Sequence, residues 1–339
     1  MSGSSLHRSA DMQDHCLREW VQMNALQPPI FRELQDSRRV LIAGMGGGFD
    51  VYCGLPLYFA LKAEGKEVFL ANYSFTSLGL GPNGPLPHAV VPVTPDLFVQ
   101  PGEYFPEYWL SRWLVTQGEP GTVYALRKVG VQPLKSAYEA LVKHLNIDTV
   151  ILVDGGTDSL MRGDESGLGT PHEDATSLVA VNELRGPKKL LACLGFGVDH
   201  FHGVSHADYL EATAELARGG AYLGAFSLTP DMPPVQKYKD ACEAVFQMMP
   251  RYTSIVNSSI VSAIDGQYGD HHATSRTHGS ELWINPLMGL YWTYHLPAVA
   301  RRIQYYQPML DTVTLSDVGL VIERHREEVT IRPRVALPL

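Results

Sequence analysis

Apolar positions in this chain gather into short blocks separated by polar, helix-periodic stretches. Arg39–Ala43, RVLIA, is an aliphatic run with a glycine string directly behind it, the form of a buried strand. Glu67–Asn72, Thr149–Val153, Lys189–Leu194 and Ala221–Ser227 repeat that form. Between them, helices are predicted from the glycine string through Glu64, over 106–116 and 133–145, and over 207–218; Gly65 stands where a helix C-terminus favours glycine. TPHED, beginning at Thr170, predicts a helix start with Pro171 at the first helical position and Glu173 completing a capping box. The strand–helix alternation implies an α/β fold: a Rossmann-like, doubly wound, mostly parallel sheet in a single large domain over 38–335.

Three stretches read less regularly. Residues 1–37 form a polar tail and helical arm, with two short helices in Leu17–Leu34 interrupted by Pro28-Pro29. Residues 74–96, rich in Gly and Pro, are either a binding lid or an ordered surface excursion. LMGLYWTYHLPAVARR, 287–302, reads as an aromatic helix, and about 310–333 as strands at a sheet edge.

Composition narrows the class of partner. A 339-residue chain with 45% hydrophobic residues can bury a sizeable core. A net charge of -9, with no Lys/Arg run to offset it, argues against nucleic acid, which needs a basic face. The apolar runs are too short to span a membrane, and the N-terminus lacks a signal-peptide core. Cys16, Cys53, Cys193 and Cys242 lie far apart without a C-x-x-C pair, as in a reduced, cytoplasmic protein. The expected partner is a small molecule. The aromatic, low-charge C-terminal half makes a homo-oligomer plausible.

Open parallel sheets bind ligands beyond the carboxyl ends of their strands, and three loops there carry unusual chemistry. The first, residues 44–50, offers backbone N–H groups of Gly46, Gly47 and Gly48 to an anion, with Asp50 beside them. It departs from the dinucleotide fingerprint, because Phe49 replaces the third glycine and Asn72 stands where an acidic ribose ligand belongs, which leaves Asn72 as a candidate ligand contact. The second, 154–165, places Asp154 and Asp158 around Gly155-Gly156-Thr157, and Asp164-Glu165 further on. Carboxylates with hydroxyls from Thr157 and Ser159 suit a divalent metal such as Mg²⁺ or Ca²⁺, or the hydroxyls of a sugar. The bland alternative is that these acids cap helices or face water.

The third loop, 195–206, gathers Asp199, His200, His202 and His206, groups suited to acid–base chemistry. A fourth stretch, 265–281, adds His271, His272 and Arg276, the last able to grip a phosphate or carboxylate. The expectation is an enzyme acting on a small anionic or nucleotide-like metabolite, by hydrolysis or group transfer. Asp154, Asp158, Asp199, His200 and His202 would be catalytic, and Asp154 and Asp158 would also hold any metal. The alternative is a non-catalytic protein that binds a nucleotide-like ligand.

VLIAGMGGGFDVYCGLPL, LVDGGTDSLMRGDE, LGTPHEDATSL, GFGVDHFHGVSHADYL, SIVNSSIVSAIDG and ELWINPLMGLYW resemble, in order, recurring segments of the domain-of-unknown-function family numbered 1152. The resemblance spans about 38–335. It implies one α/β domain with its motifs on the strand-end loops, and it is silent about reaction and substrate.

Overall fold

The structure is a computed structural model that describes residues 26–79, 86–100, 102–280 and 282–337. Residues 1–25, which contain Cys16 and most of the expected N-terminal arm, lie outside the described residues. The part of the arm that is described forms α1, Pro29–Leu34, which begins on the second proline.

One sheet organises the chain. Its strands are β1 (Arg39–Gly44), β2 (Glu67–Tyr73), β3 (Val90–Val93), β4 (Val123–Leu126), β5 (Thr149–Asp154), β6 (Lys188–Leu194), β7 (Tyr222–Ser227) and β8 (Leu290–His295). They lie in the order β3-β4-β2-β1-β5-β6-β8-β7. The inner strands β4, β2, β1, β5 and β6 are mutually parallel, whereas β3 and β8 run antiparallel to their neighbours. The expected doubly wound, mostly parallel α/β fold is what the chain adopts.

Burial on both faces explains why the inner strands are apolar at every position. Leu41 and Ala43 of β1 and Val150 and Leu152 of β5 pack on one face; Val40, Ile42, Ile151 and Val153 pack on the other. The first face is covered by α5 (Val131–Leu145), α6 (Pro171–Asn182), α7 (His206–Arg218) and α12 (Leu315–Glu328). The opposite face carries α1, α2 (Asp50–Cys53), α3 (Leu55–Ala63), α4 (Pro106–Thr116), α8 (Pro233–Met248) and α9 (Ile255–Ile264). Each such aliphatic side chain contributes roughly 1.5–3 kcal/mol on burial, so two full faces hold the sheet between two helical layers.

Two expectations fail. The segment read as an aromatic helix is instead β8, followed by the short α10 (Leu296–Ala300). Its residues alternate, Trp292 and Tyr294 packing on one face and Tyr291 on the other, which is a period of two. β8 also separates β6 from β7, so those two strands are not neighbours. In place of the strands expected over 310–333 stands the helix α12, which follows the short α11 (Tyr306–Met309). Val318 and Ile322, four apart, are the buried stripe of α12, and Thr314 with Asp317 forms its capping box. Within 74–96, β3 pairs with β4, so that part of the stretch is sheet edge.

Among the described residues, no helix is long and apolar enough to cross a membrane. Cys53, Cys193 and Cys242 are free and buried.

From β1 the chain steps outward to β2 and β4, then returns to the other side of β1 at β5. The strand order therefore reverses between β1 and β5, and a crevice opens beyond their carboxyl ends.

Candidate functional site

The glycine string leaves β1 at that crevice. A side chain at Gly44 would place its Cβ 2.5 Å from the Val51 nitrogen and 2.9 Å from the Asp50 carbonyl carbon, so only glycine lets the chain turn back here. The turn brings Asp50 round to accept a 2.7 Å hydrogen bond from the Gly46 N–H on Oδ2. The loop thus cradles its own carboxylate, and the Gly46 N–H expected to hold an anion is already engaged. Gly47, at φ 94°, lines the same cavity under the ring of Phe75. Gly48 lies beside Phe75 and the Tyr104 hydroxyl, and its carbonyl accepts from Asn72.

Asn72, expected as a ligand contact, is held by the protein's own groups. It is fully buried, its Nδ2 donates to Gly48 O and Glu107 Oε1, and its Oδ1 accepts from the Val51 N–H. The residue that breaks the dinucleotide fingerprint is the brace of the glycine loop.

Five aspartates converge on one cavity of about 160 Å³: Asp50, Asp154, Asp158, Asp174 and Asp199. Asp154 ends β5 and accepts from the Ser159 hydroxyl and N–H on Oδ2. Asp158 opens a 3₁₀ turn and accepts the Thr170 N–H (2.7 Å) and hydroxyl (2.9 Å), again on Oδ2. Asp199, in the 3₁₀ turn after β6, accepts the Thr157 N–H at 2.6 Å on Oδ2. Thr157, expected to contact ligand, is therefore the anchor of Asp199. The Thr170 hydroxyl likewise serves Asp158 and gives α6 no side-chain cap, so the expected capping box is absent. Glu173 instead sits 3.8 Å from the Lys128 ammonium.

Asp174 differs from the other four. It is 2% exposed, lies in the first turn of α6, and neither of its oxygens accepts a hydrogen bond. Asp50, Asp154 and Asp174 each offer a carboxylate oxygen within 4.8 Å of the others. No lysine or arginine is found among the described residues lining the cavity. Burial, followed by the charges of neighbouring aspartates, pushes the carboxyls of Asp154, Asp174 and Asp199 well above the usual range. Burial raises Asp50 to about 8 against the opposing Gly46 hydrogen bond. Such a cluster holds protons or a cation, and it repels a bare anion.

Sequence reasoning missed Asp174 because PHED was read as a helix start. The usable signal was its setting: Asp174 opens a helix that is buried at every position from Glu173 to Val181, so an acid there is buried with it. The helix follows a strand-end loop, so its first turn lies at the ligand edge of the sheet.

The histidines divide. His202 lines the aspartate cavity from an exposed position at its rim. His200 faces away: Arg334 Nη2 lies 2.9 Å from its Nδ1, and the pair lines a separate cavity of about 280 Å³ with His206 and Trp283. Burial lowers the pKa of His200 and takes His206 down to about 4. Arg276 donates through Nη1 to the carbonyl of Thr253, next to Ser254 on the cavity wall, and itself does not line the cavity. His272 pairs with Asp270 and Thr277, and likewise stays outside it.

Asp164 and Glu165 have a structural role. Asp164 accepts from Arg162, Gln304 and Arg332, and Arg332 also reaches Glu165, Asp208 and Glu211. The C-terminal segment is thereby fastened to the second loop and to α7. Burial opposes ionisation of Asp164, but the hydrogen bonds from Arg162 and Gln304 prevail and hold its pKa at about 2. A depressed folded-state pKa gives stability that is present above the unfolded value near 4 and is lost as pH falls through about 2. Acid unfolding followed by tryptophan fluorescence should show this slope between about pH 4 and 2, and Asp164→Asn should flatten it. An unchanged slope in the variant would assign acid sensitivity elsewhere.

No curated protein and no solved structure matches the chain. A family model described as "Protein of unknown function (DUF1152)" matches residues 114–326, which include β5, β6 and four of the five aspartates. That is well over half of the 339 residues, and the chain belongs to this family.

Proposed function

We propose that the aspartate cavity binds a divalent cation of the Mg²⁺ or Ca²⁺ class, and that the protein uses it to hydrolyse, or transfer a group from, a small anionic or nucleotide-like metabolite. The observation that carries this reading is Asp174. A buried carboxylate with no hydrogen-bond donor is costly unless a proton or a counter-charge meets it, and the described residues lining the cavity include no lysine or arginine. An all-carboxylate donor set suits hard cations with oxygen ligands.

The chain's own residues would prepare that site. Ser159, Thr157, Thr170 and the Gly46 N–H each fix one oxygen of a neighbouring aspartate, which sets the carboxylate planes in advance. A bound cation supplies Lewis acidity and a more acidic water. An anionic substrate would meet the cation rather than the glycine N–H groups, and His202, which lines the cavity at its rim, would carry a proton.

Isothermal titration calorimetry of chelator-stripped protein with Mg²⁺, Mn²⁺ and Ca²⁺ tests the first half, with saturable binding as the expected result. A screen of phosphate esters, phosphoanhydrides and N-glycosides with the cation-loaded protein tests the second. No binding of any of the three cations would overturn the whole reading. Binding without turnover on any substrate class would overturn its enzymatic part.

A further inference from the structure

We infer that the cavity between the third loop and the C-terminal segment is a second ligand site, separate from the aspartates, and that it takes a flat aromatic carboxylate on Arg334. The site stands whether or not the aspartate cavity binds a cation.

Three separate stretches of chain wall this cavity of about 280 Å³. His206, at the start of α7, has rings on two sides of it, with centroids 5.0 Å away at His200 and 5.2 Å away at Trp283. The opposite wall is the C-terminal segment, fixed in place by Arg332 and by the Ser205 hydroxyl, which donates to the Val335 carbonyl at 2.6 Å. Trp283, Val335 and Leu337 all line the cavity and all remain exposed. Exposed apolar residues grouped around one hollow are where the apolar body of a ligand is buried. A dry cavity of ~150 Å³ holds a benzene ring, so this one has room for one ring or two fused rings.

Arg334 supplies the independent sign. Arg332, two residues before it, meets the carboxylates of Asp164, Glu165, Asp208 and Glu211, whereas among the described residues Arg334 meets none. Its Nη2 donates to the His200 ring, and its Nε and Nη1 make no hydrogen bond among the described residues. Burial lowers the pKa values of both histidines, so they stay neutral and the guanidinium is the unmatched charge of the cavity. A guanidinium with most of its planar fork unused matches the two oxygens of a carboxylate. The histidine and tryptophan rings beside it favour a flat aromatic body on that carboxylate.

The experiment titrates the full, chelator-treated chain by calorimetry with benzoate and naphthoate. Naphthol, which keeps the rings without the carboxylate, and acetate, which keeps the carboxylate without rings, are the controls. At least one aromatic acid should bind saturably, and both controls should bind roughly tenfold more weakly or worse. Arg334 is exposed, so Arg334→Gln should melt as the natural chain does while losing roughly tenfold or more in affinity for the acid and none for naphthol. Trp283→Ala should weaken the acid and naphthol alike. No saturable binding of either acid at millimolar concentrations overturns the inference, and so does unchanged affinity for the acid in both variants. Equal affinity for naphthoate and naphthol in the natural chain would overturn the assignment of Arg334 as the carboxylate contact.

Discussion

Replacing Asp174 with Asn is expected to raise the melting temperature of the chelator-treated protein and to abolish the further rise that Mg²⁺ gives the natural chain. Without a cation, Asp174 faces Asp50, Asp154 and Asp158 with both oxygens unbonded, and each neighbouring charge opposes its ionisation. An amide of the same shape cannot ionise, and it adds N–H donors among acceptors. The gain should be about 1–3 kcal/mol, the range for one satisfied buried polar group. The loss appears only with metal. At a hundredfold excess over Kd, the natural chain should gain about 2.7 kcal/mol and the variant close to none. Differential scanning fluorimetry with and without Mg²⁺ reads both effects, and the two stability orders should cross. A variant less stable in chelator, yet still raised by Mg²⁺, would show that Asp174 is an ordinary core residue.

Gly46→Ala should block the site from the backbone side. The added methyl would lie 2.6 Å from Asp174 Oδ1 and 2.8 Å from Asp50 Oδ2, wedged between two of the three carboxylates that can share an ion. Cation–oxygen bonds of ~2.0–2.6 Å require those oxygens to converge, which a methyl prevents. Gly46 does not use the left-handed backbone that Gly47 and Gly48 adopt, so the substitution adds no φ strain. Affinity for Mg²⁺ should fall on the order of 100-fold or more, while the fold survives. Gly65→Ala is the matching control. Its φ of 81° is strained for alanine, but a Cβ there meets nothing within 4 Å. That variant should melt earlier and bind Mg²⁺ as the natural chain does. Equal Mg²⁺ affinity in Gly46→Ala and the natural chain would sink the cation site.

The parts of the fold legible in the sequence are those buried on two faces. Arg39–Ala43 and Thr149–Val153 are apolar throughout because helices cover both sides of β1 and β5, and no surface pattern competes with that reading. β3 and β4 escaped because four residues carry too little periodicity, and Pro92 in β3 is tolerated only at a sheet edge. β8 was obscured by the apolar LPAVA behind it, which continued the run into a helix. Of the five aspartates lining the cavity, the strand-end rule pointed to Asp50, Asp154, Asp158 and Asp199. It failed for Asp174, which is carried on a helix, and it overreached at Asn72, Thr157 and Arg276, whose partners are loop backbone or another side chain. His200 shares a loop with His202, but the two rings belong to different cavities.

The place of β8 between β6 and β7 also bears on how the chain matures. β7 leaves the ribosome long before β8, yet among the described strands β8 is its only neighbour in the sheet. Until β8 is synthesised, the outer edge of β6 and both edges of β7 present unpaired backbone groups, which invite pairing with other chains. The C-terminal third of this protein therefore joins β7 to the sheet, and a nascent chain halted before Leu290 carries open strand edges that β8 covers in the finished fold.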